Sequence, residues 1–177
     1  MKAMLVPGNG DTDLSEIWYP YAKREIEKLD ISVIAKKMPD SDLARKEYWL
    51  PFIEKQVGAG DGVILIGHSS GASAIMRYAE IHKLGGIVLV SACHTDGGNE
   101  KERASNYFKD PWKWEAIKKN TKWIIQFGST DDPYIPIEEM RYVHNKLHSE
   151  YHELKDKGHF NIEEFPELIE ALKKKLD

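Results

Sequence analysis

Gly62-Val63-Ile64-Leu65-Ile66-Gly67-His68-Ser69-Ser70-Gly71 decides how this chain is read. A short apolar strand runs straight into Gly-X-Ser-X-Gly, and a helical pattern follows from Ala72-Ser73-Ala74-Ile75-Met76. A serine hydroxyl is a poor nucleophile unless it is held clear of the sheet and beside a base. A tight strand-to-helix turn does this by forcing the serine into a strained backbone conformation. Glycines two residues before and two after it let neighbouring backbone approach where a β-carbon would collide. The helix start behind Ser69 points free N–H groups at any anion that forms there. As a bare pentapeptide the motif also describes a glycine-rich turn with a capping serine. The strand before it and the helix after it favour Ser69 as a catalytic nucleophile.

Outward from this elbow the pattern alternates. Strands are predicted at Met1–Val6, Ile31–Ala35, Val63–Ile66, Ile87–Ser91, Trp123–Phe127 and Tyr151–Leu154. Helical spacing is predicted over Ile17–Leu29, Leu43–Val57 with a kink or new start at Pro51, the elbow helix to about His82, Pro111–Asn120, Ile137–His148 and Glu164–Leu176. Gly58–Gly62 reads as a turn and His94–Asp110 as a long polar stretch. Six strands alternating with helices imply a three-layer α/β/α sandwich around a mostly parallel sheet. At 177 residues one domain is expected.

The composition narrows the function. A net charge of −4 argues against a nucleic-acid surface, and the longest apolar runs are too short to span a bilayer. Met1 begins a strand without signal-peptide architecture, and Cys93 is the sole cysteine, which excludes a disulfide framework. A cytoplasmic enzyme acting without metal or organic cofactor fits these features. His144-x-x-x-His148 puts two imidazoles on one helix face, but a zincin needs glutamate at position 145, where Asn stands. Gly8-x-Gly10 would need glycine at position 13 to cradle a dinucleotide, and Asp13 is there instead.

In open parallel sheets chemistry gathers at the carboxyl ends of the strands, so the acid and base belong in loops downstream of the serine. Enzymes with such an elbow carry their triad in the order Ser, Asp or Glu, His. His159, in the turn after the sixth strand, is the expected base. His82, His144 and His148 fall on helices, His152 within a strand and His94 at the start of the long loop; His68 is expected to face away from Ser69. Asp131 and Asp132 follow the fifth strand and spacing does not separate them. Asp132-Pro133-Tyr134-Ile135-Pro136 resembles the Asp-x-x-Val-Pro pattern that often carries the acid in such hydrolases, which favours Asp132. The oxyanion hole is expected from the N–H of Ser70 and that of Asn9, with Gly10 as the alternative. Trp18, Tyr19, Trp112 and Trp114 flank the active-edge loops and either line an apolar substrate pocket or pack the core.

Val6-Pro7-Gly8-Asn9-Gly10, Trp49-Leu50-Pro51-Phe52, Gly67-His68-Ser69-Ser70-Gly71, Glu102-Arg103-Ala104-Ser105, Gly128-Ser129-Thr130-Asp131-Asp132-Pro133 and Gly158-His159-Phe160 extend over nearly the whole chain. On these segments the sequence resembles the retinoblastoma-binding protein nine family of small serine hydrolases. The resemblance implies a compact α/β-hydrolase fold without a separate cap domain and a triad of Ser69, Asp132 and His159. The residues themselves lead to the expectation of a serine hydrolase acting on a small ester, amide or short peptide. The family's Leu-x-Cys-x-Glu segment is replaced here by Gln56-Val57-Gly58-Ala59-Gly60-Asp61, so retinoblastoma-protein binding is not expected. A protein-interaction module with an idle triad is the rival reading.

Overall fold

Apolar side chains that alternate along a strand must face two different layers. Met4 and Val6 pack on one side of strand β1 (Lys2–Val6), and Ala3 and Leu5 on the other. Strand β3 (Gly60–His68) sends Val63 and Leu65 to the first side, and Ile64 and Ile66 to the second. Six strands of this kind form one sheet in the computed structural model, which describes residues 1–176. With β2 (Ser32–Ile34), β4 (Leu84–Val90), β5 (Ile124–Ser129) and β6 (Glu150–Leu154), the order is β2-β1-β3-β4-β5-β6 and every neighbouring pair is parallel.

Two helical layers cover the faces. Helices α1 (Tyr19–Glu27) and α7 (Pro166–Leu176) bury Tyr19, Ala22, Ile26, Leu168 and Leu172 against the second face. The first face is covered by α2 (Lys46–Val57), α3 (Ser70–Ala79), α5 (Trp114–Asn120) and α6 (Ile137–Leu147). The chain leaves β1 toward β2 and leaves β3 in the opposite direction, with α1 and α3 on opposite faces. The two loops therefore diverge at the carboxyl ends of β1 and β3, where an open α/β sheet forms a crevice. Ser69 stands at that point.

Three local expectations change. The polar stretch after β4 contains a short helix, α4 (Glu100–Ala104), whose first turn is capped by the Asn99 side chain accepting from the N–H groups of Lys101 and Glu102. Five residues with none buried leave no hydrophobic period to read. Strand β3 begins at Gly60, inside the expected turn, because Gly60 pairs with Leu84 before a register shift. Helix α2 starts at Lys46 and continues through Pro51 to Val57. Among the described residues no helix is long and apolar enough to cross a membrane.

Candidate active site

Ser69 sits between β3 and α3, as the helix's N-cap, with φ 55° and ψ −120°, a backbone region that non-glycine residues rarely occupy. The strain is held by its surroundings. The Ser69 N–H donates to Val90 O at 2.9 Å, tying the turn to β4. A β-carbon on Gly67 would lie 2.5 Å from Gly71 O, and one on Gly71 would lie 2.2 Å from Val6 O. Both glycines are thus required by close backbone approach. Ser69 remains only partly buried, and its hydroxyl has no protein hydrogen-bond partner among the described residues. Catalytic hydrogen bonds in an empty site commonly tighten only when substrate binds.

Asp132 and His159 meet beside it. Asp132 Oδ2 lies 2.8 Å from His159 Nδ1 and also accepts from Ser91 Oγ at 2.8 Å. Its Oδ1 accepts from the N–H groups of Tyr134 and Ile135 at 2.9 and 3.0 Å. The carboxylate side chain is fully buried, and each oxygen has two partners. Burial pushes its pKa up, but the hydrogen bond and charge of His159, together with the Ile135 and Tyr134 N–H groups, outweigh it and leave the carboxyl below its ordinary value. Asp131 points elsewhere: its Oδ1 accepts from Ser129 Oγ at 2.5 Å and Gly158 N–H at 3.2 Å, bracing the loop that carries His159.

His68 corrects an expectation. Strand alternation puts it on the same face as Ile64 and Ile66, where the His159 loop descends, so it does not turn away from the site. Its Nε2 lies 2.9 Å from the carbonyl of His159, and Tyr19 Oη lies 2.7 Å from its Nδ1. A carbonyl only accepts, so His68 carries its proton on Nε2 and Tyr19 donates to Nδ1. Burial, with the nearby charge of His159, lowers its pKa to about 3 and keeps the ring neutral. His68 therefore holds the base's backbone.

The loop after β1 closes the other side. The Gly10 N–H is already donated to Asp42 O at 3.1 Å, whereas the Asn9 and Ser70 N–H groups have no acceptor among the loop and cap hydrogen bonds. Of these loop N–H groups, that of Asn9 is thus the freer to meet an incoming acceptor. Glu102, on α4, reaches between the two: its Oε1 accepts from Ser70 Oγ at 2.6 Å and from Asn9 Nδ2 at 2.9 Å. Its Oε2 is shielded from solvent without a protein partner among the described residues. Burial raises its pKa, against the lowering influence of the Ser70 hydroxyl and the His159 charge.

A cavity of about 690 Å³ joins Ser69, His159, Asn9 and Glu102, with Ile17, Tyr134 and Ile135 giving it apolar wall. None of the three tryptophans lines it. Trp18 is fully buried, 4.6 Å from Tyr19 and 5.5 Å from Phe165 between ring centroids, in the layer formed by α1 and α7. Trp112 stacks on Trp114 at 5.5 Å, with the Arg77 guanidinium 3.7 Å above its ring. These residues anchor the segment between α4 and α5, since Arg77 also donates to the carbonyls of Tyr107, Asp110 and Pro111. His144 pairs with Ser149 at 3.1 Å, while His148 caps α6 with φ 52°. Among the described residues no three His, Cys, Asp or Glu side chains are grouped to hold a metal.

A family model described as serine hydrolase matches residues 3–176. The chain belongs to the serine hydrolase family. Among relatives of this serine hydrolase, Serine hydrolase RBBP9 of Rattus norvegicus is 47% identical over 177 residues, covering 99% of this chain and 95% of that protein. The ydeN gene product of B. subtilis has the same fold at a TM-score of 0.90 and 21% identity, covering 99% and 98% of the two chains. A thermophilic esterase from Thermogutta terrifontis shares it at a TM-score of 0.73 and 16% identity, covering 99% and 89%. The protein is a hydrolase with an α/β-hydrolase fold.

The sequence singles out Glu102-Arg103-Ala104-Ser105 as a family-like segment but assigns no contact to Glu102, and it gives no sign of Ser91 at this site. Ser91 directly follows β4 with φ 50°, and no spacing links it to Asp132. Glu102 lies 32 residues beyond Ser70 in a stretch without period, so only the folded chain brings them together.

Proposed function

We propose that the protein hydrolyses an ester or amide of a small substrate through an acyl-enzyme on Ser69. The observation that carries this reading is the His159–Asp132 pair beside a strained, partly exposed serine on one cavity. With Nδ1–H donated to Asp132, the His159 Nε2 is left as the acceptor. It takes the Ser69 proton as Oγ attacks the carbonyl carbon, and Asp132 stabilises the imidazolium that results. The N–H groups of Ser70 and Asn9 receive the oxyanion. Collapse transfers the proton from His159 to the departing alcohol or amine. Water, deprotonated by the same nitrogen, then attacks the acyl group and returns Ser69.

The cavity has the volume of a small-molecule site. Glu16, Asp96, Glu102 and Glu139 line it, with Asp96 paired to Arg103 and Glu139 beside His94, against the single ammonium of Lys101, which pairs with Asp42. That balance disfavours anionic substrates and suits neutral or cationic acyl donors. The test is steady-state hydrolysis of acyl esters and aminoacyl amides by the parent, Ser69→Ala and His159→Ala proteins. Each variant is expected to lose activity by about 10⁴-fold or more while keeping its thermal transition. Undiminished turnover by folded Ser69→Ala would contradict the mechanism. A folded parent inert to every acyl donor and to activated phosphonates would favour the interaction module.

A further inference from the structure

Two N–H groups serve one oxyanion only if the segments carrying them keep a fixed separation. Here the segments are separate in sequence: Asn9 lies in the loop after β1, and Ser70 at the start of α3. The close approach of Gly71 to Val6 O fixes the base of that loop. Asn9 lies three residues further on, past Gly8, where a β-carbon would make only ordinary contact with Ser69. The link at the level of Asn9 comes from a third segment. One oxygen of Glu102 accepts from the side chains of both residues, at 2.6 and 2.9 Å. Helix α4 is held in turn by the Asn99 cap and by the Lys101–Asp42 ion pair.

We infer that Glu102 is a positioning residue, which sets the separation of the Asn9 and Ser70 N–H groups by binding both side chains through Oε1. The inference rests on the acyl-enzyme reading. The arrangement is not one that stability alone selects. Both donors converge on a single oxygen, and Oε2 is left desolvated without a protein partner among the described residues. The same contacts engage the Ser70 hydroxyl and Asn9 amide, so neither competes for the Ser69 oxygen.

The experiment measures kcat and KM for p-nitrophenyl acetate, with thermal transitions, for the parent, E102A, E102Q, S70A and the S70A/E102A double variant. A misplaced oxyanion hole acts on the transition state, so E102A is expected to lose roughly 10–100-fold in kcat with little change in KM. Glutamine keeps an acceptor oxygen, and E102Q is expected to stay within several-fold of the parent. S70A cuts one tie, leaves the backbone N–H in place and is expected to lose several-fold. The double variant is expected to lose no more than E102A. Parent-like kcat in either E102A or S70A would overturn the inference. So would E102Q as impaired as E102A, which would assign the effect to charge. If E102A does not fold, the S70A and E102Q arms decide. A parent inert toward the ester, or a fully active Ser69→Ala protein, would instead overturn the acyl-enzyme reading.

Discussion

Asp132 and Glu102 are carboxylates on the same site whose environments displace them in opposite directions. Asp132 has four hydrogen-bond contacts and faces His159, and its pKa is lowered despite burial. Its contribution to stability is present above the ordinary carboxylate value, near 3.9, and is lost as pH falls through the folded-state value. Glu102 behaves the other way. Burial raises its pKa, assisted by the charge of Asp96 and opposed by the Ser70 and Asn9 hydrogen bonds and the charge of His159. Between about 4.3 and that raised value the folded state binds more protons than the unfolded, so stability falls as pH rises. Glutamine at this position does not titrate. Thermal transitions of parent and E102Q between pH 4 and 7 are expected to show the parent's stability, relative to the variant, greatest near pH 4 and shrinking upward. Relative stability that grows with pH would contradict the assigned environment. In the sequence, elbow spacing and loop order single out Ser69 and His159, whereas Asp132 is separated from Asp131 only by its likeness to Asp-x-x-Val-Pro; in the fold Asp132, not Asp131, faces His159. The contacts of Ser91, His68 and Glu102 were not legible, because the direction of His68 depends on strand alternation at the elbow, and Ser91 and Glu102 reach the site only through the folded chain.

At the scale of elements, the elbow depends on how closely β1, β3 and α3 approach. The Gly71 position allows no side chain, since a β-carbon would meet the backbone oxygens of Val6 and Pro7 at 2.2 and 2.5 Å. Backbone atoms in a central sheet cannot yield as a flexible side chain can. Gly71→Ala is expected to destabilise by about 1–3 kcal/mol or more. For a domain of this size that lowers the thermal transition by roughly 2–4 °C per kcal/mol. Gly62→Ala is the control, because a β-carbon there meets nothing within 4 Å. Calorimetry showing the two variants equally stable would contradict the packing account. Strands and long helices were legible because their apolar periods reflect burial on one or two faces. The tryptophans near the loops were misleading for a related reason. Their size favours burial, and Trp18 packs within the α1 and α7 layer while Trp112 and Trp114 anchor a connector.

Across the whole molecule, one topological reversal organises the rest. Loops after β1, β3, β4, β5 and β6 converge above the sheet, and each supplies part of the site: Asn9, Ser69, Glu102, Asp132 and His159. The fold class was readable from strand–helix alternation and chain order. The convergence of these loops on one cavity depends on parallel register, which no local pattern encodes. The central claim is that this convergence activates Ser69. The most direct measurement is reaction with a fluorophosphonate, followed by peptide mass mapping of the adduct in the parent, Ser69→Ala and His159→Ala proteins. A single adduct on Ser69 is expected in the parent, none in Ser69→Ala and strongly slowed labelling in His159→Ala. A folded parent that remains unlabelled, or an adduct on another residue, would contradict it.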